Sequence, residues 1–298
     1  MKRLVIALLV IGCKGSNVDK ERAKELFTRI PLATAPGLSG LAVDDSGGLW
    51  TIAERARRAY RITLDAADKP TLQTFAVEGR DPTDVDLEAI ATLGDGKFAF
   101  GTEGRVPGIA TVLLAERRGA ALAITSDIVL SNADVGIEMA ANQGAEGLCG
   151  AGDTIIVAIE GAGGSGNARW APIVRIEGGK IVRTHRLALT TATGKISALD
   201  CTVAADGTIT AWAIERHFEV TKIVAFTIPP VGQGEDMLTP TVLLDLGTVL
   251  NSRLNLEGIA KLPDGRLVAV VDNQWKTISG NSELLVFHDA SLATAGAP

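Results

Sequence analysis

Acidic side chains recur at one place in this chain. Glu88, Glu146, Asp200 and Glu257 each take the second position of a short apolar segment, and Ser39 or Gly40 stands there in a fifth. The segments read Leu38-Ser-Gly-Leu-Ala-Val, Leu87-Glu-Ala-Ile-Ala, Ala145-Glu-Gly-Leu-Cys, Leu199-Asp-Cys-Thr-Val and Leu256-Glu-Gly-Ile-Ala. If they meet around one axis, four carboxylates and a hydroxyl converge. Like charges at close range either raise one another's pKa or hold a cation. Calcium is the natural occupant, because it accepts six to eight oxygen ligands in loose geometry, whereas magnesium wants a tight octahedron and zinc wants nitrogen or sulfur. With three His, three Cys and no CxxC spacing, a zinc site has little material. Asp86 and Asn255, close upstream of their anchors, can add ligands or hold the first ones in place. The competing reading has these acids capping strand ends or pairing with arginines, with no metal bound.

A second acidic series follows the first. In every segment the next apolar strand runs into an acid: Glu54, Glu103, Glu160, Glu215 and Asp272. Basic and polar residues keep them company, with Arg55, Arg57, Arg58 and Arg61 after the first, Arg105 after the second, Arg216 and His217 after the fourth, and Asn273 and Lys276 after the last. A guanidinium grips phosphate or carboxylate oxygens as a planar fork. Glu54, Arg55, Glu103, Arg105, Glu215, Arg216 and Asp272 therefore form the candidate catalytic set, facing a small anionic substrate such as a phosphate ester. Salt bridges within each repeat, worth little apiece, are the plainer alternative. No GxSxG elbow and no phosphate-binding P-loop occurs, since Ile196 follows Gly194-Lys195.

Positioning these residues falls to a repeat. The anchors lie at 40, 88, 146, 200 and 257, intervals of 48 to 58 residues that suit propeller blades. After each anchor comes a Gly-containing turn, such as Asp95-Gly96 or Asp264-Gly265, and then a second apolar strand. Two further strands fill most periods, giving four per unit. The last period is one strand short, and Leu26-Phe-Thr-Arg-Ile-Pro-Leu is left over ahead of the first anchor. Pairing the two would close the ring and remove an exposed edge. The expected fold is all-β: a single β-propeller over residues 26–298, with five blades of four antiparallel strands, or six if a long loop hides a divergent one.

The ends and the composition bound the rest. Met1-Lys2-Arg3 followed by an apolar run to Gly12 reads as a signal segment, and Val10-Ile11-Gly12-Cys13 as a lipobox that makes Cys13 the lipidated first residue. Residues 1–12 would then be the signal peptide and 13–25 a tether, placing an exported monomer on a bacterial membrane, periplasmic or cell-surface side, through Cys13 alone. A net charge of -6 argues against a nucleic-acid partner. Cys149 and Cys201, counted from their anchors, are expected on the same rotational side of neighbouring blades, as buried thiols that do not face one another.

These motifs look familiar. Leu38-Ser-Gly-Leu-Ala with Thr51-Ile-Ala-Glu-Arg, Asp86-Leu-Glu-Ala-Ile-Ala with Gly101-Thr-Glu-Gly-Arg, Asn142-Gln-Gly-Ala-Glu-Gly-Leu, and Asn255-Leu-Glu-Gly-Ile-Ala with Val271-Asp-Asn resemble the phytase-like family, "esterase-like activity of phytase", of bacterial propellers. The first repeat is also similar to the calcium-activated nucleotidases, or apyrases, five-bladed propellers with calcium held in the tunnel by Ser and Glu. The resemblance implies Ser39, Glu88, Glu146, Asp200 and Glu257 as ligands of one or more calcium ions, and Glu54-Arg55 near the substrate. It implies a calcium-dependent hydrolase of phosphate esters. A surface-anchored binding propeller with structural calcium and a nucleotidase- or lactonase-type propeller are the alternatives. Asp200 departs from the pattern, since its shorter side chain reaches less far.

Overall fold

The computed structural model describes residues 25–79, 85–104, 106–217, 220–248, 254–273, 282–289 and 292. Cys13, the signal segment, residues 13–24 of the tether, Arg105 and Lys276 lie outside the described residues. The described chain is almost wholly β. After β1 (Phe27–Leu32), unit one holds β2 (Leu38–Val43), β3 (Leu49–Ala53), β4 (Arg58–Leu64) and β5 (Pro70–Glu78). Unit two holds β6 (Val85–Thr92), β7 (Lys97–Gly104), β8 (Ile109–Arg118) and β9 (Ala121–Ser131), followed by the one-turn helix α1 (Asn132–Val135). Unit three holds β10 (Ala145–Ala151), β11 (Thr154–Ile159), β12 (Trp170–Glu177) and β13 (Lys180–Ala188). Unit four holds β14 (Lys195–Val203), β15 (Ile209–His217), β16 (Val220–Ile228) and, after the short β17 (Met237–Leu238), β18 (Thr241–Asp245). Unit five holds β19 (Asn255–Lys261), β20 (Leu267–Asp272) and β21 (Ser282–Phe287).

Each unit is an antiparallel meander, and β1 pairs along its whole length with β21, so the leftover N-terminal strand completes unit five. Units one and two are joined at their outer edges by a short parallel pairing of β5 with β9, and β17 adds itself in parallel to β13 of unit three. The first strands pack side by side in sequence, β2 on β6, β6 on β10, β10 on β14 and β14 on β19, and β19 returns to β2.

The core follows this cycle. Five apolar clusters each draw on two consecutive units. Trp50, Phe75, Phe98 and Phe100 lie between units one and two, and Trp212, Phe27 and Phe287 between units four and five. A fifth cluster, with Leu38, Tyr60, Val270 and Leu284, joins unit five back to unit one. A sheet buried on both faces reads as an apolar run rather than an alternation, which is the pattern of β3, β11 and β20. Close approach at the centre demands small residues. Gly40 has φ +61° and a Cβ there would stand 2.6 Å from the Ile90 backbone nitrogen, while one on Gly147 would stand 2.7 Å from Leu199 Cβ.

Candidate metal centre

At one place in every first strand the pairing with the second strand slips by a residue. The slips fall between Ser39 and Ala42, Leu87 and Ala89, Ala145 and Gly147, Ile196 and Ala198, and Leu256 and Gly258. A bulge leaves one residue out of the ladder and re-aims its side chain. The residues so placed are Glu88, Glu146, Ser197 and Glu257, with Ser39 at the edge of the first slip. Each is followed by Gly or Ala, which lets neighbouring strands close in behind it.

Three glutamates of this set are buried, with Glu146 only 5% exposed. Asp86 at the start of β6 and acids at the ends of the second strands join them. Asp86, Glu88 and Glu103 each present a carboxylate oxygen within 4.8 Å of the other two, and Glu103, Glu146 and Glu160 do the same. Glu103 belongs to both groups. Glu54 and Asp272 complete the cluster from the far side, and Asn255 Nδ2 donates to Asp272 Oδ2 at 2.9 Å. Among the described residues three cations reach in: Arg216 donates to Glu257 Oε1 at 2.5 Å, Lys195 pairs with Glu160, and the exposed Arg55 lies 3.4 Å from Asp86.

Among the described residues, eight carboxylates against three cations leave this end of the axis strongly acidic. Burial, with Asp272 and Glu257 alongside, pushes Glu54 up to about 8. Burial, with Glu257 and Glu103, does the same for Glu146. Glu88 is driven well above the carboxylate range by burial and by Glu146, and Glu103 is raised by burial and Asp86. Burial likewise raises Glu257, against the pull of Arg216. Among the described residues neither Glu88 nor Glu146 has a cation within ion-pair distance. Glu257 Oε2 is buried and accepts no hydrogen bond among the described residues. An all-oxygen donor set with an orphaned carboxylate oxygen fits a hard cation such as calcium.

Other expected members stand elsewhere. Asp200 lies three residues beyond Ser197, about 10 Å along an extended strand. It lines a cavity at the opposite mouth of the axis with Ala42, Ala91, Gly150 and Lys261, and its Oδ2 accepts from the Lys261 backbone nitrogen at 2.6 Å. The fourth anchor is therefore Ile196-Ser197-Ala198-Leu199, matching Leu38-Ser39-Gly40-Leu41. The same offset corrects the cysteines. Cys201 lies four residues beyond Ser197 and Cys149 three beyond Glu146, close enough in level on adjacent strands that the two form a disulfide with Cα atoms 5.6 Å apart. Glu215 turns away from the axis, because its carboxylate accepts from the backbone nitrogens and hydroxyls of Thr190 and Thr191, at 2.7 to 3.0 Å. Arg61 is bound to Asp44 at 2.6 Å, in the first hairpin turn. Ser39 and Ser197 spend their hydroxyls on backbone oxygens of the next unit, Glu88 O and Leu256 O.

Asp200 yields a pH prediction independent of the acidic cluster. Burial raises its carboxyl to about 7, outweighing the hydrogen bonds from the Lys261 and Cys201 backbone. A carboxyl raised in the folded state favours folding fully below its unfolded value near 4, and that contribution is lost as pH rises toward 7. Asp200→Asn should match wild type in melting temperature at pH 4 and exceed it at pH 8. Parallel melting curves across that range would show that the carboxyl ionises without cost.

Cyclic packing of five meanders around buried carboxylates is the arrangement of a propeller-type protein with an axial acidic site. The sequence profile of the phytase-like family, described as "Esterase-like activity of phytase", matches residues 33–274, and the chain belongs to that family. No curated protein sequence matches it. Among solved structures, the exo-β-1,3-galactanase from Phanerochaete chrysosporium superposes with a TM-score of 0.53 at 9% identity, covering 88% of this chain and 65% of that one. The aldose sugar dehydrogenase from Streptomyces coelicolor superposes at 0.48 and 12% identity, covering 88% and 98%. The former similarity concerns the fold alone.

Proposed function

We propose that this chain is a calcium-dependent hydrolase of small phosphate esters, built as a single five-bladed propeller and exported as a lipoprotein through Cys13. The observation that carries the reading is the pair of carboxylate triples sharing Glu103, with Glu257 Oε2 orphaned beside them. Asp86, Glu88 and Glu103 would hold calcium, with Glu146 and Glu257 close by. When bound, the ion supplies Lewis acidity and charge neutralisation for a phosphate oxygen. The protein's own groups do the remainder. Exposed Arg55 reaches toward incoming anions from the rim, and Arg216, fixed by Glu257, presents its guanidinium further in. The Cys149–Cys201 disulfide agrees with an oxidising compartment.

Purified protein assayed with a phosphomonoester, ATP, an aryl ester and a lactone should turn over a phosphoester and stop when a chelator is added. Absence of chelator-sensitive turnover on all four would leave the second reading, a binding propeller with structural calcium. That reading is favoured by the two axial serines, whose hydroxyls are committed to backbone oxygens rather than to a base.

A further inference from the structure

Unit four breaks the acidic pattern at the axis. Where units two and three contribute Glu103 and Glu160, the outer end of unit four carries two cations. Lys195 opens β14 directly opposite Arg216 on β15. Like charges facing each other across a strand pair repel unless something lies between them. Here each is matched by an acid from a neighbouring unit, Arg216 by Glu257 of unit five and Lys195 by Glu160 of unit three.

The two carboxylate triples differ in this respect. Among the described residues, the Asp86–Glu88–Glu103 group makes one ion pair, with the rim guanidinium of Arg55, and faces Lys195 only through the Glu103 that it shares. The Glu103–Glu146–Glu160 group already has a cation on it, because Lys195 Nζ bonds to Glu160 and faces Glu146 and Glu103. An ammonium has three donors and no acceptor, so one group can serve three carboxylates. We propose that Lys195 is the resident cation of the second triple. The mouth then takes a single divalent ion, at Asp86, Glu88 and Glu103. The proposal rests on the calcium reading above. A separate observation points to a ligand at this place: the Glu257 side chain is 8% exposed, its Oε2 has no partner among the described residues, and its other oxygen holds Arg216, which faces Lys195 across the strand pair.

A covalently tethered ammonium gives the second triple one positive charge that cannot dissociate.

Metal analysis and calorimetric titration with calcium chloride on the whole chain test this. Wild type should bind one calcium per chain, Lys195→Met two, and Lys195→Arg one. Lys195→Gln, which keeps a polar donor, should also bind two and serves if the apolar variant fails to fold. Two ions on wild type, or no gain in either neutral variant, overturns the proposal while leaving the calcium reading intact. No calcium on wild type or on any variant defeats the calcium reading itself, and this proposal with it.

Discussion

Glu103→Gln should change stability in opposite directions with and without calcium. In chelator at pH 8 the variant should melt a few degrees above wild type. Glu103 is raised by burial and by Asp86, so its ionisation is resisted in the folded chain. The stability that its protonated form retains below about pH 4 is lost as pH rises, and the amide removes that loss. In excess calcium the order should reverse. Glu103 is the one residue common to both carboxylate triples, and its amide has a single neutral acceptor oxygen where the carboxylate has two charged ones. Calcium affinity should fall on the order of 100-fold, since ligand charge sets affinity in such sites, and chelator-sensitive turnover should fall with it. Stabilisation by a ligand follows its concentration over its dissociation constant, so the wild-type melt should climb with calcium while the variant's stays nearly flat. A role confined to packing would move both melts in the same direction. That result, read by scanning fluorimetry with and without chelator, would remove Glu103 from the metal centre.

The disulfide should contribute nearly as much. Cys149 and Cys201 close a loop with a sequence separation of 52, which in the chain-entropy account is worth about 4 kcal/mol. The bond ties β10 to β14, neighbouring first strands of units three and four, at the end opposite the carboxylates. Cys149→Ser/Cys201→Ser should therefore melt about 10 °C lower, at the few degrees per kcal/mol expected for a domain of this size. Wild type in a strong dithiol reductant should fall to the same value. Calcium affinity should be little changed, because the bond lies at the far end of the strands from the bulges. A melt that ignores both the substitutions and the reductant would show that the bond constrains nothing.

Much of the fold is legible in the chain because each repeat carries its own signals. An acid or Ser, then Gly or Ala, then Leu or Ile, then a Gly turn, marks a first strand and its hairpin five times. The shortage of one strand at the C-terminus and the spare one near Leu26 predict the β1 and β21 pairing. The site is legible where an acid sits in a bulge, as with Glu88, Glu146 and Glu257. It misleads at unit four, where Leu199-Asp200 mimics the Leu-Glu of other anchors while the true position, Ser197, carries no charge to draw the eye. The small residue Ala198 behind it is the distinguishing signal, since only Gly or Ala allows adjacent first strands to approach. That slip of three residues also hid the disulfide. Lys195 reads locally as part of a failed phosphate loop, and its role depends on Glu160 from another unit, which no local pattern reveals. Arg61 and Glu215 follow the local pattern of substrate residues, yet a hairpin turn and the Thr190-Thr191 loop use them fully.

Calcium titration of the purified wild-type chain, with the melting temperature followed across the same range, bears most directly on the axial carboxylates. The expected result is one bound calcium per chain and a melt that rises with calcium and collapses on chelation. Protein that contains no calcium, takes up none, and melts identically in chelator would contradict it.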